Sequence, residues 1–484
     1  MPTAPLPNCL KDLELSGYRT KSVRHELRHN LIQKLRNKDQ LFPGIIGYDD
    51  TVIPQITNAI LASQDLILLG ERGQAKTRLI QGLVDFLDPH IPVIKGCEIN
   101  DDPFDPICAE CVSLKSHEGR DLEISWVEPD ERYSEKLATP DISIADLIGE
   151  VDPIKVAEGR YLSDERTIHY GLVPRTNRGL FCINELPDLA ERVQVGLFNL
   201  MEERDVQIKG YRVQLPIDIF VVATANPEDY TNRGRIITPL KDRFGAQIRT
   251  HYPKDPAEEI MILDQERSQF ANESTIFVPP YYKEIISEVT ALARVSPHIN
   301  QRSGVSVRVS ISNIETVISN ATRRAIQNRE KWAIPRISDL PFIISSFAGK
   351  IEMDSFEDGQ EAKVLDEILG QAVLNVFNRY FNASDLDSIL QCFDQDTYIE
   401  TGSTIRSATY SAILRAFPQL ADAVSLIAGD DRPALHASAA EFVLEGLHLN
   451  RKLNRRSIDG KFRFERSRPT AVTRHPRRNP RPRR

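Results

Sequence analysis

At 484 residues and 54.8 kDa, the chain is long enough for roughly three domains of about 150 residues, which excludes a mini-protein or one small module. Apolar residues at 41% and charged residues at 27% exclude global disorder. The formal charge of -8 hides an asymmetry: residues 451–484 carry 14 basic and 2 acidic side chains, a net +12, so residues 1–450 carry -20. An acidic body thus bears a basic arm.

No run approaches the ~18 continuous apolar residues that a spanning helix needs, and the first twenty residues lack a basic segment followed by an apolar one. A cytoplasmic location without membrane contact is the expectation. Six cysteines in a chain of this length do not make a disulfide framework.

In chain order, residues 1–43 predict a helical lead-in, with Val23, Leu27, Leu31 and Leu35 spaced by fours. Residues 44–253 alternate short apolar runs with helical patterns. Leu66–Leu69, Leu180–Ile183 and Ile219–Thr224 are continuous apolar runs bounded by polar residues, as expected of strands buried on both faces of a parallel sheet. The fold class is therefore α/β. From 254 to 350 helical patterns replace the strand signals and predict an all-helical lid domain, and residues 351–450 continue as a helical extension. The Pro- and Arg-rich residues 451–484 are expected to be a disordered arm.

The apolar run Leu66–Leu69 leads into Gly70, Glu71, Arg72, Gly73, Gln74, Ala75, Lys76 and Thr77, and then into a helical pattern. A buried strand, a glycine-bearing loop and Lys-Thr opening a helix form the context of a phosphate loop. Lys76 is expected to reach the β and γ oxygens of a nucleotide, and the Thr77 hydroxyl to bind Mg²⁺. Ala75 stands where a glycine normally precedes the lysine. Downstream, a second apolar run ends in Asn184-Glu185. Glu185 is expected to act as general base. Asn184 occupies the position of a metal-assisting Asp, so weaker Mg²⁺ binding is expected. The third run leads to Asn226, at the crevice end of the sheet, where it would position the attacking water.

In this order and spacing the motifs resemble an AAA+ ATPase of the branch holding the MoxR-type ATPases and the ATPase subunit of magnesium chelatase, over about residues 43–345. The carriers are Pro43-Gly44-Ile45-Ile46-Gly47, the Gly-x-x-Gly-x-Ala-Lys-Thr loop, Asn226 as sensor 1, Leu240-Lys241-Asp242-Arg243-Phe244 as the arginine-finger segment, and Gly304 to Arg308 as sensor 2. The resemblance implies an αβα core, a helical lid, nucleotide contacts from Ile46 and Gly47, and a hexameric homo-oligomeric ring. Arg243 would reach the γ-phosphate of a neighbouring subunit, with Arg308 sensing nucleotide from the lid. It also implies an insert between Asn100 and His169, a β-hairpin over Met201–Pro216, and a partner protein with a von Willebrand factor A domain. No Gly-Ala-Phe-Thr-Gly-Ala loop of the enhancer-binding activators is present. The helical extension and basic arm depart from the usual plan of the chelatase subunit.

Three functions stay open at this level. One is a ring ATPase that remodels, or drives metal insertion into, a partner protein. Another is a nucleotide-gated assembly module with weak hydrolysis. The third is a nucleic-acid motor using residues 451–484, whose phosphate contacts would be sensitive to salt. Cys97, Cys108, Cys111 and His117 form C-x10-C-x2-C-x5-H, a donor set suited to Zn²⁺. Free thiols and redox chemistry are the competing readings.

Overall fold

The computed structural model describes residues 6–151, 167–203, 205–207, 214–226, 234–271, 273–300, 304–352, 360–382, 384, 386–393, 397–458 and 460–466. They fall into two compact units, one of residues 1–254 with 302–306, the other of 255–301 with 307–484.

The first unit opens with α1 (Leu10–Leu15), α2 (Val23–Asn37) and α3 (Val52–Leu61). Ser22 caps α2 by accepting from the His25 amide, and Lys38, at φ 61°, closes it. Val23, Leu27 and Leu31 are buried but Leu35 is 42% exposed. A spacing of four advances about 40° beyond a full turn at each step, so the fourth member has rotated off the core face.

Then follow β1 (Leu66–Leu69), α4 (Lys76–Gln81), β2 (Ile91–Ile94), α5 (Ala109–Glu118), β3 (Ile124–Val127), β4 (Tyr133–Leu137), α6 (Ile144–Ile148), β5 (Gly149–Val151), β6 (Ile168–Tyr170), α7 (Leu172–Arg175), β7 (Gly179–Asn184), α8 (Glu191–Glu203), β8 (Asp205–Gln207), β9 (Gln214–Pro216), β10 (Ile219–Ala225), α9 (Thr238–Arg243) and β11 (Ala246–Arg249). The central sheet has the order β11-β1-β10-β7-β4, and every pairing in it is parallel. Alternate residues serve opposite cores. Leu66, Leu68, Leu180, Cys182, Phe220 and Val222 join the α2, α3 and α4 face, whereas Ile67, Phe181, Ile183, Ile219, Val221 and Ala223 join the α8 and α9 face. The continuous apolar runs of the sequence follow from this double burial.

Two antiparallel ribbons, β2 with β3 and β5 with β6, lie outside the central sheet; β3 and β5 fall between Asn100 and His169, where an insert is expected, whereas β2 precedes that region. Strands β8 and β9 pair Val206 with Leu215; the hairpin tip at 208–213 lies outside the described residues. A buried ion pair anchors α2. The Arg132 guanidinium donates to both oxygens of Glu26 at 2.7 Å, and to the Arg178 carbonyl, with both side chains almost fully enclosed.

The second unit contains α10 (Pro256–Glu266), α11 (Pro280–Val295), α12 (Val307–Asn328), α13 (Ile344–Ala348), α14 (Gln360–Tyr380), α15 (Asp387–Leu390), β12 (Tyr398–Thr401), α16 (Ser407–Ala416), α17 (Pro418–Ala428), α18 (Pro433–Leu449), β13 (Leu453–Ile458) and β14 (Lys461–Arg466). Residues expected as a separate lid and a separate extension share one core: Tyr281 of α11 stacks on Phe442 of α18 with centroids 4.6 Å apart, and Phe377 of α14 meets the same ring edge-on.

Two expectations need correction here. The region after 254 is not purely helical, because β12, β14 and β13 form an antiparallel sheet. Its strands include the first part of the arm expected to be disordered. There Leu453 and Phe464 are buried, Arg455 pairs with Glu445 at 2.6 Å, and Arg456 pairs with Glu465 at 2.9 Å. Arg463 lies over the Tyr398 ring at 3.4 Å. In β14 the alternation of Lys461 and Arg463 with Phe462 and Phe464 is a half-buried strand pattern, masked in composition by the arginines. Residues 467–484 lie outside the described residues.

Candidate nucleotide site

The site is assembled at the carboxyl ends of β1, β10 and β7. Leu69 is in register with Ala225, and Ala223 with Ile183, so the loop after β1, Asn226 and Asn184-Glu185 emerge from neighbouring strands. Adjacent strands lie about 4.8 Å apart, which brings all three within about 10 Å.

The loop from Gly70 to Ala75 is bound tightly to its surroundings. The Gly70 amide donates to the Ala225 carbonyl at 3.1 Å. Gln74 accepts at its side-chain oxygen from the Glu71 amide at 3.1 Å and from the Thr250 hydroxyl at 2.6 Å. The Tyr48 hydroxyl donates to the Gln74 and His251 carbonyls, and Tyr252 donates to the Arg72 carbonyl. Burial pushes the Tyr48 phenol up to about 12, so it remains a donor at physiological pH. Through Tyr48 the preceding Ile46 and Gly47, the latter at φ 80°, are tied to the loop.

Two glycines are required by contact. A Cβ on Gly70 would lie 1.8 Å from Thr250 Oγ1, and one on Gly73, which has φ +76°, would lie 1.8 Å from Ser306 Oγ. Ala75 has φ 53°, a left-handed backbone that costs a non-glycine residue about 1–2 kcal/mol. The glycine expected there is therefore absent from the sequence while its backbone conformation is kept. Lys76 begins α4, is buried, and donates to the Gly70 and Glu71 carbonyls at 2.5 and 2.9 Å. Thr77 is exposed in the first turn.

A line of hydrogen bonds crosses the ends of the next strands. Thr224 Oγ1 accepts from the Glu185 amide at 2.9 Å and donates to Asn184 Oδ1 at 2.5 Å. Asn184 Nδ2 donates to Glu135 Oε1 at 3.1 Å, and the Tyr133 hydroxyl donates to Glu135 Oε2 at 2.9 Å. Burial, and then the Glu135 charge, push the nearby Cys182 thiol up to about 12. A carboxylate thus stands beside Asn184, contributed by the neighbouring strand β4. Sequence reading missed Glu135 because it lies 49 positions before Asn184 in a strand with no apolar run. Glu185 adopts φ 55°, and Asn226 is buried with an Oδ1 that has no hydrogen-bond partner among the described residues. Strained residues and unsatisfied polar atoms gather where a ligand is handled.

Arg243, at the end of α9, pairs with Glu202 and donates to the Pro239 carbonyl at 2.9 Å. Its guanidinium lies 3.5 Å from the centroid of Phe198. Arg308 lies in the first turn of α12 in the second unit.

The cysteines form a separate group. Cys97, Cys108, Cys111 and Asp101 place one ligand atom each within 4.8 Å of one another. His117 is not among them. It lies six residues beyond Cys111, about 9 Å along the axis and on another face of α5, where its Nδ1 is 2.8 Å from the Ser113 carbonyl. Hydrogen bonds from the Cys108 and Cys111 thiols hold the Cys97 thiol down to about 3, while Cys108 and Cys111 are raised.

No family model matches the chain. It is 25% identical to the magnesium-chelatase subunit ChlI of Nostoc sp. over 300 residues, covering 60% of this chain and 76% of the relative. To the same subunit of Cyanidium caldarium it is 24% identical over 341 residues, covering 65% and 90%. A solved structure of the complex between the BchI and BchD subunits of magnesium chelatase overlaps 67% of this chain and 98% of that one, at 16% identity and a TM-score of 0.36. Among the described residues no helix is long and apolar enough to cross a membrane. The strand-loop-helix phosphate motif, the parallel sheet and these relatives together make the chain similar to the AAA+ ATPases, and in sequence to the magnesium-chelatase subunits ChlI.

Proposed function

We propose that the protein is a ring-forming ATPase that uses hydrolysis to remodel, or drive metal insertion into, a partner protein. The observation that carries this reading is the side-by-side emergence of the Gly70–Thr77 loop, Asn226 and Asn184-Glu185 from three neighbouring parallel strands.

Loop amides and the N-terminus of α4 hold the phosphates. On nucleotide binding Lys76 exchanges its two loop carbonyls for phosphate oxygens. The oxygen donors Thr77, Asn184 and Glu135 suit Mg²⁺, which when bound spreads the charge developing on the transferred phosphoryl group. Glu135 supplies the negative charge that Asn184 lacks, and Thr224 holds Asn184 and Glu185 in place. Glu185 takes the proton of the attacking water, and the Asn226 amide orients that water. Arg243 leaves Glu202 and Phe198 to serve the site of a neighbouring subunit in a hexamer, and Arg308 senses nucleotide. The relatives named as magnesium-chelatase subunits, and the family's usual pairing, support a partner with a von Willebrand factor A domain. Six cysteines in 484 residues, too sparse for a disulfide framework, go with a cytoplasmic location in this reading.

Steady-state turnover with and without Mg²⁺, in wild type and Glu185→Gln, tests the reading. Hydrolysis in the wild type and retained ATP binding without hydrolysis in the variant are expected. Equal turnover in both would favour the nucleotide-gated assembly module, for which the uncharged Asn184 speaks. The nucleic-acid motor loses support from the engagement of Arg455, Arg456 and Arg463 with the second unit's own acidic and aromatic groups.

A further inference from the structure

We propose that Cys97, Asp101, Cys108 and Cys111 form a structural zinc site that fastens the β2–β3 ribbon to α5. The four ligand atoms lie within 4.8 Å of one another. Donors about 2.3 Å from a common tetrahedral centre stand roughly 3.8 Å apart, so the group closes on an ion with small side-chain movements. Three sulfurs and one carboxylate are a zinc donor set, whereas Mg²⁺ and Ca²⁺ take oxygen alone.

Outer contacts support the same reading. The Ile99 amide points to Cys97 Sγ and the Cys111 amide to Cys108 Sγ, each at 3.4 Å, which stabilises thiolate charge. Cys108 caps the N-terminus of α5, the positive end of the helix. Asp101 accepts from the Ile107 and Cys108 amides at 3.1 and 2.9 Å. Those bonds fix its carboxylate and leave each oxygen a further lone pair. A cavity of about 340 Å³, lined by Lys95, Cys97, Cys108, Cys111 and Tyr170, gives an entry path.

The fold also has a use for such a clamp. A two-stranded ribbon is marginal by itself, and the core beneath it comprises Leu10, Leu13, Ile94, Ile99, Leu122 and Ile124 besides two of the cysteines. A metal joining the loop after β2 to the start of α5 would stabilise this small assembly without a larger core.

The test is independent of ATP hydrolysis. Full-length protein purified in reductant without chelator is expected to carry about one zinc per chain by elemental mass spectrometry. On the wild type, titrating the thiols with an organomercurial should release that zinc. Co²⁺ added to chelator-treated protein should give thiolate-to-metal charge transfer and the intense visible bands of a tetrahedral site. Cys111→Ser and Asp101→Asn should each weaken zinc at least about tenfold, the lower end for loss of even an outer partner, and His117→Ala should leave it unchanged. Substoichiometric metal in the wild type with no cobalt spectrum overturns the proposal, as does a Cys108–Cys111 disulfide that persists in reductant. An equal loss of affinity in His117→Ala overturns the ligand set. Should Cys111→Ser fail to fold, the wild-type mercurial and cobalt titrations still decide.

Discussion

Exchanging the charges of Asn184 and Glu135 tests where the acid of the nucleotide site resides. The Asn184 amide nitrogen and a Glu135 oxygen are 3.1 Å apart, so Asn184→Asp sets two carboxylates against each other at close range. Unit charges about 4 Å apart at an effective dielectric of about 20 interact by about 4 kcal/mol, equivalent to roughly 3 pKa units. One carboxylate of that pair would then keep its proton to about pH 7. A divalent metal prefers the doubly ionised pair, so metal affinity in Asn184→Asp should rise with pH through neutrality and should be flatter in the wild type. Glu135→Gln keeps an acceptor for Asn184 but removes the charge, and should lower affinity about tenfold or more, a loss of about 1.4 kcal/mol. The double variant Glu135→Gln/Asn184→Asp moves the charge by one strand and should recover most of that loss. Mn²⁺ binding followed by electron paramagnetic resonance with a non-hydrolysable ATP analogue reads these affinities without turnover. Wild-type affinity in Glu135→Gln, or a double variant no better than it, would refute the reasoning.

Other expectations follow from single contacts. Arg243→Ala should retain ATP binding and assembly but lose turnover by about 10³-fold or more, checked by nucleotide titration beside steady-state kinetics. Gly73→Ala should abolish nucleotide binding, because its Cβ would meet Ser306 Oγ at 1.8 Å. Ala75→Gly should bind nucleotide normally and change stability by less than about 1 kcal/mol, since relief of the left-handed alanine is offset by a more flexible unfolded chain; denaturant melts check this. Arg132→Ala should destabilise the first unit by about 3–5 kcal/mol by leaving Glu26 buried and unpaired, also measured by denaturant unfolding.

The sequence by itself determined the central layer and the loop. Leu66–Leu69 and Ile219–Thr224 are short apolar runs bounded by polar residues, the pattern of strands covered on both faces, and the residues after Leu69 carry their chemistry in local order. Local order also places Asn184, Glu185 and Asn226 at strand ends. Only the tertiary structure decided that Glu135 stands beside Asn184, since parallel pairing of β4 with β7 joins positions far apart in the chain. The same holds for Asp101 replacing His117 among the thiols: helical phase carries His117 away from Cys111, and a loop brings Asp101 back to it. Composition misled at residues 453–466, where arginines that suggest a disordered arm are held by Glu445, Glu465 and Tyr398. Charge counts record how many cations a segment carries, and only packing decides which of them already have an anion or a ring to meet.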